Sequence, residues 1–344
     1  MFAGDSGEPR RDTPCSPESH STRTIVAAIY AAPLHPLAYY LHNLNPYIFH
    51  ITETFGPRWY GLAYVMAFIC GYALLMWLSR RGYADIHQAQ VGDFITWAAL
   101  FGVMVGGRLG YVLFYKPHML REPLSILKVW EGGMSSHGGM IGLVLFTLYY
   151  ARKYKMSWTN LGDNLCVVAP IGLFFGRCAN FINGELYGRA ANVPWAVQFP
   201  KELLDDSTLA DRAVALCAQF DPLIATPEEV LRALPANPKV EAVLRTILTP
   251  RHPSQIYEAL LEGVVLFAMM WFVRTRMRTP NGVLTGLFLS VYAVLRIIVE
   301  NFREPDAPLI GMFTRGQFFS FFLVAIGLAF IIVAKLRPVY PRKL

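Results

Sequence analysis

Four polar clusters interrupt a largely apolar sequence, and each contains residue types that can do chemistry. The first, Glu131-Gly-Gly-Met-Ser-Ser-His137-Gly-Gly-Met-Ile-Gly142, sets a histidine between glycine pairs where an apolar stretch begins. Histidine is the side chain best suited to proton transfer near neutral pH, and glycine admits a ligand or another backbone at close range. The same pattern also suits helix packing through Gly138 and Gly142. The second, Gly176-Arg177-Cys-Ala-Asn180-Phe-Ile-Asn183-Gly-Glu185-Leu-Tyr-Gly188-Arg189, puts Arg177 and Asn180 on one helical face with Asn183 and Glu185 close behind. A guanidinium fork matches phosphate, whereas an isolated arginine at a span end only snorkels to the headgroups. In the third, Arg296, Glu300 and Arg303 share a helix face. They form either an internal ion pair that offsets the insertion penalty or a second phosphate-binding arginine held by Glu300, and the two are compatible. The fourth, Arg251-His252-Pro253-Ser254-Gln255-Ile-Tyr257-Glu258 with Glu262, opens a helix at Pro253 and Ser254. Glu258 and Glu262 are an i,i+4 pair of like charge, unfavourable without cationic partners, and the arginines of the other clusters are suitable ones.

The elements that carry these clusters belong in a bilayer. Of 344 residues, 54% are hydrophobic and 16% charged, against about 25% charged in an average soluble protein. That balance excludes a cytosolic enzyme and a disordered chain, and predicts a polytopic membrane protein. Seven stretches come near the roughly 20 residues a span requires: Trp59–Leu78, Phe94–Tyr115, Met134–Ala151, Leu161–Ile182, Ile256–Val273, Val283–Phe302 and Phe318–Ala334. The third is short and the fourth contains Pro170. Arg80 and Arg81 follow the first span, Arg152, Lys153 and Lys155 the third, and Arg274, Arg276 and Arg278 the fifth. Lys335, Arg337, Arg342 and Lys343 follow the seventh. All four basic connectors fall on one side, which is therefore cytoplasmic, with the N-terminus outside and the C-terminus inside. The net charge of +7 is explained by these connectors without nucleic acid. A charge inside a span is costly and is a functional hypothesis by default.

The predicted fold is an all-α polytopic membrane protein with seven transmembrane helices and a small extracytoplasmic head. Residues 1–40, polar over Met1–Thr24 and weakly apolar over Ile25–Leu34, are expected to be a mobile extension. Residues 41–183 hold helices 1–4, residues 184–254 the head, and residues 255–344 helices 5–7 with a basic cytoplasmic tail. Short helices such as Pro227–Leu234 are expected in the head. Cys15, Cys70, Cys166, Cys178 and Cys217 show no CxxC and no ligand spacing, so neither a disulfide framework nor a structural metal is expected. Gly102, Gly106 and Gly110 suit close helix contact, and Arg108 beside them reads either way. No internal repeat supports a transporter. The spans hold few aspartates, chiefly Asp163 near a boundary, which disfavours a magnesium-dependent lipid synthase.

Trp59-Tyr60-Gly61, Gly106-Gly107-Arg108-Leu-Gly-Tyr111, Gly132-Gly-Met-Ser-Ser-His137-Gly138-Gly139, Gly176-Arg177 through Glu185, His252-Pro-Ser-Gln-Ile-Tyr-Glu258 and Arg296-Ile-Ile-Val-Glu300 occur in this order. Together they resemble the bacterial prolipoprotein diacylglyceryl transferase family over residues 41–335. The resemblance implies a cell inner membrane transferase of lipoprotein biosynthesis. It moves the diacylglyceryl group of phosphatidylglycerol to the lipobox cysteine of a preprolipoprotein, forming a thioether and releasing glycerol 1-phosphate on the outer face. It also implies that Tyr60, His137, Arg177, Asn180, Glu185, Gly188, Arg296 and Glu300 matter. In that reaction Arg177 and Arg296 would stabilise the leaving phosphate. The substrate thiol, of ordinary pKa ~8.5, must lose its proton. His137 is one candidate base, with the leaving phosphate or water as alternatives, and Tyr60 positions substrate or relays a proton. Arg177, Asn180, Glu185, Gly188, Glu300 and Arg303 make up the substrate-binding set. The expected partners are phosphatidylglycerol, lipobox signal peptides and membrane lipid, with no cofactor and no nucleic acid.

Overall fold

A computed structural model describes residues 39–49, 51, 56–128, 132–305 and 311–341. The extension expected over residues 1–40 lies outside the described residues except for its last two, and so do Glu131, Arg342 and Lys343. In chain order the main helices are α1 (Trp59–Arg80), α2 (Gln88–Phe114), α3 (Ser136–Lys153) and α4 (Trp158–Asn183). Then come α5 (Ser207–Cys217), α6 (Pro227–Ala233), α7 (Pro238–Ile247), α8 (Ser254–Arg276), α9 (Val283–Glu300) and α10 (Arg315–Leu336). The chain divides into two compact units, one of residues 39–43 with Ala190–Arg251 and one of Leu44–Arg189 with the residues from His252 onward.

In the larger unit α1, α2, α4, α8, α9 and α10 are long and apolar enough to cross a membrane. Their positions match six of the seven expected stretches. The remaining one, α3, is a helix of 18 residues but is not among them. It opens on Ser136, His137, Gly138 and Gly139 and closes on Arg152 and Lys153, which lowers its hydropathy. Pro170 sits inside α4 without ending it. Two spans are not regular throughout. Ala98–Val105 of α2 and Ala259–Val265 of α8 are π-helical, a wide turn that recurs at functional sites. The apolar core gathers Leu75, Leu78, Phe94, Leu161, Leu266 and Leu284.

Helices α2 and α3 touch backbone to backbone. A Cβ on Gly106 would come 2.8 Å from both the Gly138 carbonyl oxygen and the Gly142 Cα. The packing role of Gly138 and Gly142 is thus realised, with no room for a side chain between the two helices. Asp163 is also explained by structure. Its carboxylate accepts hydrogen bonds from the Gly282 and Thr285 amides, each at 2.8 Å, and from the Thr285 hydroxyl at 2.7 Å. It thereby fastens the start of α9 to α4. Nearby, the Arg274 guanidinium and the Asn160 amide both donate to the Tyr83 carbonyl.

The smaller unit contains α5, α6 and α7 and a three-stranded sheet. Strand β1 (Tyr40–Leu41) runs parallel to β2 (Val197–Gln198), and β2 runs antiparallel to β3 (Pro250–Arg251). Two-residue strands leave no alternation to read, so helices alone were predictable here. Leu41, Leu203, Ala213, Val230, Val240 and Leu244 form its core. Helix α6 starts at a capping box, in which Thr226 accepts from the Glu229 amide and the Glu229 carboxylate accepts from the Thr226 amide.

Candidate active site

The carboxylate of Glu258 is fully buried and lies at the centre of the polar clusters. Arg296 Nη1 donates to its Oε1 at 2.6 Å, and Arg303 Nη1 donates to the same oxygen at 3.0 Å. Arg177 Nε lies 3.0 Å from its Oε2. Arg296 Nη2 is also 3.0 Å from Glu300 Oε2. Glu262 stands further away, 3.6 Å from Arg177 Nη2 and 3.6 Å from Arg296 Nη1. Three cations from α4, α9 and the turn after α9 therefore meet three carboxylates from α8 and α9. Ions taken out of water are tolerated only when paired this closely, and removing one partner leaves a costly uncompensated charge. The like-charged pair Glu258 and Glu262 has the cationic partners its sequence spacing demanded.

The segment after α4 is fixed by hydrogen bonds of its own. Gly184 takes a left-handed conformation, φ 65°, which ends the helix. Asn180 Nδ2 donates to Glu185 Oε1 at 2.8 Å. Gln255 Nε2 donates to the Glu185 carbonyl at 2.7 Å, and the Ser254 hydroxyl to the Leu186 carbonyl at 3.0 Å. Gly188 N donates to the His252 carbonyl and Arg189 N to the Phe302 carbonyl, both at 2.9 Å. Gly188 also bridges Arg303. The second, third and fourth clusters are thus joined at one place. Gly188 is required there for space: a Cβ would lie 2.8 Å from His252 Cβ and closer still to two carbonyl oxygens.

Tyr60 and Tyr64 stand on α1 with ring centroids 5.2 Å apart. They line a narrow cleft with Gly172, Gly176 and Ala179 of α4, next to Arg177 and Asn180. Glu300 reaches the start of α10, where a Cβ on Gly316 would come 2.8 Å from its carboxylate. Thr314 caps that helix, and a carboxylate near a helix N-terminus is favourable. His137 is exposed in the first turn of α3, its ring 6.0 Å from that of Phe319, which lies three residues beyond Gly316. Arg177, Arg296 and Arg303 are therefore joined through Glu258, Glu300 is joined to them through Arg296, Asn180 and Glu185 pair through a hydrogen bond, and Tyr60 shares the cleft at Gly176. His137 is placed against α10 and, among the described residues, makes no ion pair with this group.

All these residues lie at one end of the helices. Tyr60, His137 and Glu258 are in the first turns of α1, α3 and α8, while Arg177 and Arg296 are near the last turns of α4 and α9. The basic residues Arg80, Arg81, Arg152, Lys153 and Arg274 are at the other ends of the helices concerned. Arg108 takes a structural role. Its guanidinium donates to the carbonyls of Ser125, Ile126, Lys128, Gly132 and Gly133, which organises the segment leading to His137. No spacing in the sequence marks those carbonyls as its partners.

Helices long and apolar enough to cross a membrane, with a buried knot of arginines and carboxylates at one end, fit a polytopic membrane protein with a buried polar centre. The family model described as prolipoprotein diacylglyceryl transferase matches residues 46–333. The chain belongs to that family. A Bdellovibrio bacteriovorus protein named phosphatidylglycerol–prolipoprotein diacylglyceryl transferase is 39% identical over 331 residues, covering 85% of this chain and 93% of its own length. Proteins of the same name from Gluconacetobacter diazotrophicus and Geobacter sulfurreducens are each 40% identical, over 311 and 288 residues. These matches cover 87% and 83% of this chain and 93% of each relative.

Proposed function

We propose that this chain transfers the diacylglyceryl group of phosphatidylglycerol to the lipobox cysteine of a preprolipoprotein, the first step of lipoprotein maturation. The observation that carries the reading is the convergence of Arg177, Arg296 and Arg303 on Glu258, beside the cleft of Tyr60. In this reaction the thiolate sulfur attacks the glyceryl carbon next to the phosphate. A C–S bond forms, the C–O bond breaks, and its electron pair leaves with the phosphate ester as glycerol 1-phosphate. Negative charge grows on that oxygen, and guanidinium groups fixed in advance stabilise it without reorganisation. Arg177 and Arg296 fill this role, steadied by Glu258 and Glu300. Asn180 and Glu185 hold the segment that reaches Gly188, and Tyr60 lines the approach from the lipid side. With α3 as a seventh span, the basic helix ends are cytoplasmic and the polar centre faces the outside of the inner membrane.

The direct test incubates purified protein with radiolabelled phosphatidylglycerol and a lipobox peptide. Label is expected on the cysteine through a bond stable to thioester cleavage. No transfer above a Cys→Ser peptide control sinks the reading. The proton of the thiol passes to His137 or to the departing phosphate. His137→Gln decides between them through its pH–rate profile. A lost acidic limb, the rise in rate as the base deprotonates, together with a rate down about a hundredfold or more assigns the base to His137. A near-full rate with the parent profile removes it.

A further inference from the structure

We infer that Glu262 is a resident anion, to which Arg177 and Arg296 return when the phosphate product leaves, and that it sets the rate of product release. This rests on the transferase reading above. The orientation of the arginines is already secured without Glu262. Glu258 contacts all three, and Glu300 holds the far side of Arg296. Glu262 stands 3.6 Å from a nitrogen of each of the two arginines assigned to phosphate, close enough for strong attraction and too far for a hydrogen bond. It is fully buried, and neither of its oxygens accepts a hydrogen bond among the described residues. A buried carboxylate with all its acceptor capacity unused calls for an explanation.

The backbone holds this carboxylate in readiness. Glu262 lies in the π-helical turn Ala259–Val265, four residues after Glu258 and on the same helix face. Gly263 pins that turn to α4, since a Cβ there would come 2.7 Å from Phe174 Cβ, one turn before Arg177. The charge count supplies the reason. Without substrate, Arg177, Arg296 and Arg303 balance Glu258, Glu262 and Glu300. The phosphodiester enters with a single negative charge and leaves as a monoester carrying about −1.5 to −2. Arginines with a surplus charge would grip that product more tightly than the substrate. Glu262 cancels the surplus and competes with the product for the same nitrogens.

The test is a titration of glycerol 1-phosphate into the purified protein by calorimetry, paired with steady-state and single-turnover transfer. Glu262→Gln is expected to bind glycerol 1-phosphate about tenfold more tightly, as a neighbouring unit charge predicts at intermediate dielectric. Its steady-state rate falls while its single-turnover rate stays near that of the parent. Glu262→Asp, which keeps the charge, stays close to the parent, and Glu262→Ala moves affinity in the direction of Glu262→Gln. Unchanged or weaker product binding in both neutral variants overturns the inference, as does an Asp variant that shifts as far as the Gln variant. No binding by any of the four proteins overturns it together with the phosphate role of the arginines. A parent that binds glycerol 1-phosphate yet transfers nothing removes only the transferase reading.

Discussion

Arg296→Ala is expected to lower diacylglyceryl transfer by a hundredfold or more, and Arg177→Ala to do the same. Removing one fixed donor to a developing oxyanion costs about 10²–10³ in rate, and each of these side chains brings more than one donor. Arg296 carries the larger penalty because it also touches Glu258, Glu262 and Glu300. Its loss leaves buried carboxylates in excess, which destabilises a folded chain by about 3–5 kcal/mol. Arg296→Lys separates the two effects. The ammonium restores charge and with it the amount of folded protein in the membrane. It cannot reproduce a planar fork that spans two carboxylates, so transfer stays at least about tenfold below the parent. Western quantification of membrane fractions beside the peptide assay reads both quantities. Near-normal turnover in an alanine variant removes that arginine from the mechanism.

Gly188→Ala is expected to be nearly as damaging, for a steric reason. The added methyl would meet the carbonyl oxygens of Phe302 and His252 and the His252 side chain. It has to part the segment after α4 from both the start of α8 and the end of α9. Those contacts are the ones that place Arg189 and Arg303, because Arg189 Nε donates to the Arg303 carbonyl at 2.9 Å. Forcing one methylene equivalent into a packed site costs about 1–3 kcal/mol, and a rigid backbone on the other side favours the upper end. Transfer is expected to fall a hundredfold or more and the detergent-solubilised protein to melt several degrees earlier. Gly61→Ala is the matched control for stability. Nothing lies within 4 Å of a Cβ at that position, so its stability stays within about 0.5 kcal/mol of the parent. A Gly188→Ala protein that melts and turns over like the parent would falsify this account of the junction.

The spans were legible because apolar length is a strong, local signal, and six of them have the expected positions. The third stretch forms the helix α3, but Gly138, Gly139 and Gly142 dilute its hydropathy while letting it lie against α2. The same residues thus weaken the sequence signal and strengthen the packing. In the site, shared helix faces pointed to Arg177 with Asn180 and to Arg296 with Glu300. The like-charged Glu258 and Glu262 announced a need for cations without saying which. Spacing could not show that Glu258 takes three arginines while Glu262 takes no hydrogen bond among the described residues, because the partners come from distant helices. Nor could it show Glu300 at Gly316, or the five carbonyls that hold Arg108. Both depend on tertiary approach and on backbone atoms that any residue supplies.

The ion cluster also constrains how the chain enters the bilayer during synthesis. Arg177 leaves the ribosome in α4, but its carboxylate partners, Glu258 and Glu262, follow only after the whole of the smaller unit has been made. An arginine near the centre of a span raises the insertion free energy by about 2.5–3.5 kcal/mol. Proximity to the end of α4 and snorkelling lessen that penalty in the interim. Helix α8 then arrives with two buried glutamates and needs Arg177 already in place, and α9 and the turn after it deliver Arg296, Glu300 and Arg303 last. Biogenesis is therefore cooperative across distant parts of the chain. A truncation that stops before α8 leaves α4 with an unpaired guanidinium, and the insertion machinery must shelter that helix until its partners emerge.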